Sequence, residues 1–264
     1  MKIIVIGTGF IGNHLIKKLQ DLKHEVTIFH HDDKIEIKEA DYIFFLQSYG
    51  NHYHQKDEYQ TIKANIIDYL KLLRLTSDIQ YRGLIYFSTS SVILPVQTAY
   101  SDAKFIGEII GRRFYKKYNK PVVSIRPSSI YGQGEADFRF IPTIINHLKS
   151  GKPMPLTAGN HDWLYIEDFI DGVIKVMENS QTLAGKSVPI GTGIKTSNYD
   201  VLKILMEISG KTIKTHHSPK VKREYDTKNW VADITLMKSL GWKPKYTLRE
   251  GLKKTYDHFS KKNN

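Results

Sequence analysis

Residues 2–12 read Lys2-Ile3-Ile4-Val5-Ile6-Gly7-Thr8-Gly9-Phe10-Ile11-Gly12, and this stretch decides the fold. Its aliphatic run is typical of a buried strand, and the G-x-G-x-x-G pattern that follows opens an amphipathic helix. Gly7 permits a tight turn, Gly9 lets the backbone approach a pyrophosphate, and Gly12 lets helix and strand pack closely. The sequence therefore predicts a strand-turn-helix unit that binds a dinucleotide at the helix N-terminus, with a plain strand-helix turn as the alternative.

The rest of the chain alternates short apolar runs with helical stretches, which is typical of parallel strands joined by crossover helices. Predicted strands cover residues 2–6, 25–30, 42–47, 83–88, 122–126 and 187–190, and predicted helices cover 11–22, 59–75, 99–118 and 166–177. This order predicts an α/β, doubly wound, mostly parallel Rossmann sheet with a smaller C-terminal region. We expect residues 1–133 with about 158–192 to form the dinucleotide-binding domain, and residues 134–157 with 193–264 to form the substrate-binding region.

Composition narrows the class of protein. The 264 residues include no cysteine, which excludes disulfides, thiolate metal sites and cysteine nucleophiles. The formal charge is +12, but the lysines are scattered and are not interleaved with aromatic residues as in a nucleic-acid stacking surface. A basic surface that attracts anionic small molecules is therefore favoured over nucleic-acid binding.

Metal sites and membrane segments are not expected either. The histidine spacings match no compact set of metal ligands. No apolar run is long enough to cross a bilayer, and the first strand is too short for a signal peptide. We therefore expect a cytoplasmic protein without a membrane partner.

The end of the second strand bears on the choice of cofactor. A Rossmann domain that binds NAD commonly places an acidic residue there to hold the ribose hydroxyls. This chain has His30-His31-Asp32-Asp33 at that point. A histidine would not repel the 2′-phosphate of NADP, whereas Asp32 could reach the ribose and favour NAD, so both cofactors stay open.

Tyr100 and Lys104 form a candidate catalytic pair. They stand four residues apart at the start of a predicted helix and hence on one face of it. A lysine ammonium beside a tyrosine favours the phenolate and lowers the tyrosine pKa from about 10, which suits acid-base work near neutral pH. The pair follows the strand that ends in Ser88-Thr89-Ser90-Ser91, whose hydroxyls would emerge where ligands of open α/β sheets bind.

These elements, in this order, resemble the extended short-chain dehydrogenase/reductase family, specifically its NAD-dependent epimerase/dehydratase group. The likeness runs nearly from end to end and is carried by a series of ordered motifs. They are the glycine loop 7–12, Asn65-Ile66-Ile67, Ser88 to Val92, Tyr100 to Lys104 with Glu108, Arg126 to Gly132, Asp162 to Asp168, Gly191-Thr192-Gly193, Arg223, and Leu240 to Pro244.

The resemblance implies an enzyme in which a nicotinamide takes up or delivers a hydride, Tyr100 is the acid/base, and Thr89 orients the substrate hydroxyl. The expected cofactor site comprises Gly7, Gly9, Phe10, Ile11, Gly12, His30, Gln47, Ser88, Tyr100, Lys104 and Pro127. The expected substrate site comprises Ser90, Ser129, His161 and Arg223. Most members act on nucleotide-linked sugars, and many pair as dimers through the helices at about 59–75 and 99–118.

Departures from the family pattern refine this expectation. Between the second strand and Asp41 one strand-helix unit of the sheet is missing, which shortens the adenine side of the site. An Asp-Glu pair that follows the threonine in sugar 4,6-dehydratases is Ser90-Ser91 here, so water elimination is disfavoured. His161 and Ser129 stand where relatives have an arginine and an asparagine.

The sequence thus predicts an NAD(P)-dependent epimerase or ketoreductase of a nucleotide-linked sugar. The alternatives are a reductase of a non-sugar ketone or aldehyde, and a non-catalytic NAD(P)-binding sensor protein.

Overall fold

A computed structural model describes residues 1–217 and 230–261. In chain order the strands are β1 (Lys2–Ile6), β2 (Glu25–Phe29), β3 (Tyr42–Phe45), β4 (Gly83–Phe87), β5 (Val122–Pro127), β6 (Ser129–Tyr131), β7 (Met154–Leu156), β8 (Asn160–His161), β9 (Trp163–Tyr165), β10 (Ser187–Ile190), β11 (Thr196–Ser197) and β12 (Thr215–His217). The α-helices are α1 (Phe10–Asp21), α2 (Glu58–Ile62), α3 (Asp68–Leu75), α4 (Ala99–Tyr118), α5 (Phe140–Ser150), α6 (Ile166–Glu178), α7 (Asn198–Ser209), α8 (Thr235–Ser239) and α9 (Leu248–Lys261). A π-helical turn, Lys63–Ile67, joins α2 to α3, and a 3₁₀ turn covers Ser90–Ile93.

The central sheet has six parallel strands in the order β10-β5-β4-β3-β1-β2. This is the Rossmann order without its outermost strand. From β1 the chain moves outward to β2 and then returns to place β3 on the other side of β1. The strand order therefore reverses at β1 and β3, where open α/β sheets bind their ligands. The predicted fold class, including the shortened sheet, is confirmed.

A loop follows β2 in place of the missing unit. Residues 30–41 form neither helix nor strand. Ile35 and Ile37 in this loop are partly buried and pack against the core, as does Phe29 at the end of β2. Two loop side chains thus do part of the packing that a crossover helix would otherwise do.

The core lies along β1, β3 and β4, whose apolar side chains are buried on both faces of the sheet. This is what a parallel sheet with helices on both sides requires. Three aromatic rings stack at its centre. The ring centroids of Tyr69 and Tyr86 lie 4.3 Å apart, and Phe45 packs against both rings.

The chain divides into two compact units. The first is Met1–Pro127 with Ile170–Ile190, and the second is Ser128–Phe169 with Gly191–Asn264. Residues 128–133, 158–169 and 191–192, which the sequence patterns group with the first domain, fall within the second unit. The second unit contains small two-stranded sheets, β6 with β9, β7 with β12, and β8 with β11, beside packed helices α5, α7 and α9. Of the helices in the described ranges, none is both long and apolar enough to cross a bilayer.

Replacing Gly12 by alanine is expected to destabilise the fold. A Cβ at Gly12 would lie 2.2 Å from the Gly7 carbonyl oxygen, so the backbone itself would have to move. Overpacking of this kind costs about 1–3 kcal/mol of the free energy of unfolding, measurable by urea denaturation. Gly9→Ala is the matched control, because a Cβ at Gly9 meets nothing within 4 Å, and it should cost less than about 1 kcal/mol. Equal losses in the two variants would contradict the tight helix-strand contact.

Candidate active site

The glycine loop joins β1 to α1 beside the end of β3. Gly7 has φ of +105°, which favours glycine, and its N–H donates to the Phe29 carbonyl at 2.9 Å. A Cβ at Gly7 would lie 2.8 Å from the backbone nitrogen of Gln47. Both backbone conformation and space therefore require glycine here, and the turn brings the start of α1 to the point where the strand order reverses.

The N-terminus of α1 is arranged to receive an anion. Gly9 is the N-cap and provides no side-chain capping bond, and the first turn contains no acidic residue. The first N–H groups of a helix lack partners within it and carry partial positive charge. A pyrophosphate could approach closely, because the space beside Gly9 is open. Phe10 and Ile11, half-buried, form the start of the same turn.

His30 at the end of β2 is held by the glycine loop. Its Nδ1 lies 2.9 Å from the Thr8 hydroxyl, and its backbone N–H donates to Asp33 at 2.6 Å. Asp32, which could favour NAD, has a carboxylate oxygen 2.6 Å from Nδ1 of the exposed His31. Both carboxylates of this segment therefore have local partners.

Gln47 follows β3 and is buried. Its side-chain amide donates to Asp68 at 3.0 Å. Sequence reasoning missed this contact, because an isolated aspartate at the start of α3 carries no motif.

The end of β4 presents a row of hydroxyls. Ser88 is buried and donates to Glu108 at 2.5 Å. Thr89 is half-buried, and its hydroxyl accepts from the Ser91 N–H at 3.2 Å and lies 3.0 Å from the Ser91 hydroxyl. Ser90 is buried within the same turn.

Tyr100 and Lys104 lie together on α4. Thr98 and Ser101 form a capping box that begins this helix, so Tyr100 occupies its first turn. A Cβ at Gly50, in the loop after β3, would lie 3.3 Å from the Tyr100 Cβ. The tyrosine therefore lies beside a loop that leaves the same edge of the sheet as the glycine turn.

Lys104 is buried while Tyr100 is half-buried. The Lys104 ammonium lies 5.9 Å from the centre of the Tyr100 ring and 5.0 Å from that of Tyr86. Burial lowers the pKa of Lys104 to about 7. A lysine with this pKa can change its charge near neutral pH beside the Tyr100 ring.

Glu108, one turn beyond Lys104, connects α4 to three strands. Its carboxylate accepts from Ser88 at 2.5 Å, from Arg126 Nε at 2.8 Å and Nη2 at 2.6 Å, and from Ser187 at 2.6 Å. The side chain is fully buried, and Arg126 neutralises its charge. Sequence reasoning identified Glu108 only as part of a matched motif, because its partners are distant in the chain.

The second unit holds two of the predicted substrate residues. Ser129 begins β6, two residues after Pro127, and its hydroxyl lies 3.3 Å from Nδ1 of His161. The His161 ring packs against the rings of Trp163 and Trp230, at 5.2 Å from each. Ser129 and His161 are thus brought together, while Arg223 lies outside the described residues.

Asp162 is a further organising residue of the second unit. Its buried carboxylate accepts hydrogen bonds from the N–H and hydroxyl of Thr192 and from the N–H groups of Gly193 and Ala232. It therefore fixes the loop 191–193 and Ala232 beside the strand that ends at His161. In the described parts of the chain, no three histidine or acidic side chains group as metal ligands.

Comparison with known proteins finds one family and many relatives. The NAD dependent epimerase/dehydratase family model matches residues 3–191. The uncharacterized UDP-glucose epimerase YtcB of Bacillus subtilis is 28% identical over 96% of each chain, and the CDP-abequose synthase of Salmonella typhimurium is 25% identical over 95% of each. Among solved structures, the UDP-glucose 4-epimerase of Thermotoga maritima, with UDP-glucose, superposes with a TM-score of 0.85 at 23% identity over 100% of both chains.

Burial of Lys104 should make stability depend on pH. Its pKa is about 7 in the folded chain and near 10.5 when exposed, so between these values the unfolded chain binds more protons. The free energy of unfolding should therefore rise from pH 7 to pH 9, by about 2–3 kcal/mol from this residue alone. In Lys104→Met that rise should be absent. Urea unfolding of both proteins across this range tests the assignment, and parallel stability curves would refute it.

Removing the arginine beside Glu108 should lower the stability of the fold. Arg126→Met leaves a buried carboxylate without its counter-charge, which should lower the free energy of unfolding by about 3–5 kcal/mol. Arg126→Met combined with Glu108→Leu should recover much of that loss, because no uncompensated charge is left. Arg249→Met, which breaks an exposed pair with Glu207, is the control and should cost less than about 1 kcal/mol. A double variant as unstable as the single one would argue against the charge-pair explanation.

Proposed function

Because the chain belongs to the NAD dependent epimerase/dehydratase family, we propose that it is an NAD-dependent epimerase or ketoreductase of a nucleotide-linked sugar. The observation that carries this proposal is the pairing of half-buried Tyr100 with buried Lys104 on α4, beside a glycine loop open to a pyrophosphate. The relatives named above support the substrate class, since their names refer to UDP- or CDP-linked sugars.

We assign NAD binding to the first unit. The open space beside Gly9 and the uncapped start of α1 fit the pyrophosphate of NAD, with Gly7 and Gly12 permitting the close turn. When bound, NAD accepts a hydride from a sugar carbon and can return it. Lys104 would face the nicotinamide ribose. His30 would contact the adenosine part of NAD, and Gln47, in the loop after β3, would also contact the cofactor. Ser88 and Pro127 complete the set of proposed contacts.

Tyr100 is the proposed acid/base. Its phenolate would take the proton from a sugar hydroxyl as the hydride leaves the carbon that bears it, and the resulting Tyr100 hydroxyl would return that proton when the keto group is reduced. The Lys104 ammonium, when protonated, stabilises the phenolate that this step requires. The Thr89 hydroxyl would hold the reacting sugar oxygen in line with Tyr100, because Thr89 follows the strand β4 that leads into this edge.

The residues after Thr89 bear on the reaction type. Elimination of water from a sugar needs an acid and a base beside the leaving hydroxyl, and here Ser90 and Ser91 stand in that place. Hydroxyls of ordinary pKa do this poorly at neutral pH. We therefore favour epimerisation or reduction over dehydration.

The second unit is the proposed substrate-binding part. Ser129 and His161 lie together there. Arg223 and Ser90 are further proposed substrate-binding residues. A formal charge of +12 would also favour approach of a sugar nucleotide diphosphate. The absence of cysteine agrees with a reducing compartment, and we propose the cytoplasm.

We further propose a homodimer formed through two adjacent helical segments. α4 packs against α2, α3 and the π-helical turn between them. The outer faces of these segments carry large exposed apolar side chains, namely Tyr59, Ile62, Ile67, Leu70 and Leu75 on one, and Phe105, Ile106, Ile109 and Tyr118 on the other. Apolar surface of this extent is typical of a protein interface.

The activity can be tested by incubating the protein with NAD and UDP-glucose and following sugar configuration by NMR and NADH by absorbance. Tyr100→Phe should lower kcat by about 10²–10⁴-fold, because the hydroxyl that moves the proton is lost. Tyr199→Phe alters an exposed tyrosine on α7 to which no role is assigned and should leave kcat unchanged. Turnover unaffected by Tyr100→Phe would contradict the catalytic assignment, and substitution of UDP-glucose by CDP-linked sugars tests the substrate class.

The dimer can be tested by light scattering during size-exclusion chromatography. Ile109→Glu should convert a dimer to a monomer, because it places a charge within the apolar patch. Leu22→Glu introduces the same charge at an exposed leucine after α1 and should leave the dimer intact. A monomeric unaltered chain would refute the proposal.

A further inference from the structure

The surroundings of the Lys104 ammonium contain little that is polar. The side chain is buried, and burial lowers its pKa with no charged or hydrogen-bonding partner among the described residues contributing. Its contacts are instead the faces of two tyrosine rings, Tyr86 at 5.0 Å and Tyr100 at 5.9 Å from the ring centres. Both distances lie within the ~6 Å over which a cation is attracted to an aromatic face.

Tyr86 is held in one orientation by its neighbours. Its ring stacks on Phe45 with an interplanar angle of 10° and on Tyr69 at 4.3 Å. Its hydroxyl donates to the Asn65 carbonyl at 3.3 Å. A Cβ at Gly107 would lie 2.1 Å from that hydroxyl, so the glycine lets α4 lie directly against the ring. Tyr86 is therefore a fixed surface beneath the helix that carries Lys104.

Tyr86 cannot serve as an alternative acid/base. Burial raises its pKa well above 10, and the side chain is fully inaccessible. It stays a neutral phenol, so what it offers to Lys104 is its electron-rich ring face. The other titratable groups around Lys104 are Tyr100 on the same helix and Glu108 one turn further, whose carboxylate is already bound by Arg126.

We propose that Tyr86 is a positioning residue for the reaction, holding the Lys104 ammonium through a cation–π contact so that it faces Tyr100. The contact offsets part of the cost of burying a charge without hydrogen bonds. Its catalytic consequence rests on the proposed function, since it assumes that Lys104 assists Tyr100. The contact itself is a property of the chain without cofactor or substrate.

The experiment measures the pKa of Lys104 by NMR in protein labelled with ¹³C at the lysine Cε. Lys104→Met identifies the signal. The pair compared is Tyr86→Phe and Tyr86→3,4,5-trifluorophenylalanine, because fluorine weakens the attraction of the ring face with little change in shape. The trifluoro variant should lower the Lys104 pKa by about one unit relative to Tyr86→Phe. The control introduces the same two substitutions at Tyr69, whose ring packs against Tyr86 and not against Lys104. The Lys104 pKa should be the same in these two variants.

Equal Lys104 pKa values in the two position-86 variants would overturn the proposal. A difference in Lys104 pKa between the two position-69 variants as large as that at position 86 would overturn it as well. Both position-86 side chains are close in size to tyrosine, so the comparison does not depend on a variant with a cavity. In turnover, the trifluoro variant should lower kcat relative to Tyr86→Phe, leave KM unchanged and move the alkaline limb of the pH profile to lower pH. Absence of all turnover would refute the proposed function alone, because the NMR comparison needs no substrate.

Discussion

The carboxylate of Glu108 is fully buried and takes four hydrogen bonds, from Ser88, Arg126 and Ser187. These partners belong to β5, β10 and the end of β4, so one side chain fastens α4 to three neighbouring strands. A buried charge without such partners would cost several kcal/mol, and this cost confines the helix to a position that satisfies all four bonds. The placement of Tyr100 and Lys104 relative to Thr89 follows from it.

Two tyrosines beside Lys104 differ in how deeply they are buried. Tyr86 and Tyr100 both present their rings to Lys104, but Tyr86 is inaccessible and Tyr100 is half-exposed. The buried phenol has its pKa raised and stays neutral, whereas Tyr100 is partly accessible to solvent. The same burial lowers the pKa of Lys104, which brings its charge change close to neutral pH. Desolvation is thus the main cause of the pKa shifts of Tyr86 and Lys104.

Local sequence patterns were sufficient to predict the first strand, the glycine turn and the helix that follows it. The buried strand, the glycine turn and the helix 10–21 follow from residues adjacent in the chain, since Gly7 requires a positive φ and Gly12 requires contact with Gly7. The Tyr-Lys pair is predictable for the same reason, because residues four apart share a helix face. The connection 30–41 is shorter than in the family it resembles, and this comparison predicted a sheet that lacks one strand, which the order of the strands confirms.

The sequence by itself determined the fold class, the glycine turn and the candidate pair, because each depends on residues near one another in the chain. Only the tertiary structure decided which polar groups surround them. Glu108 meets Ser187 and Lys104 meets Tyr86 through the packing of α4 on the sheet, and Asp162 meets Ala232 through the folding of the second unit. No short-range pattern encodes such contacts, since burial and long-range packing select them from many polar residues of the same type.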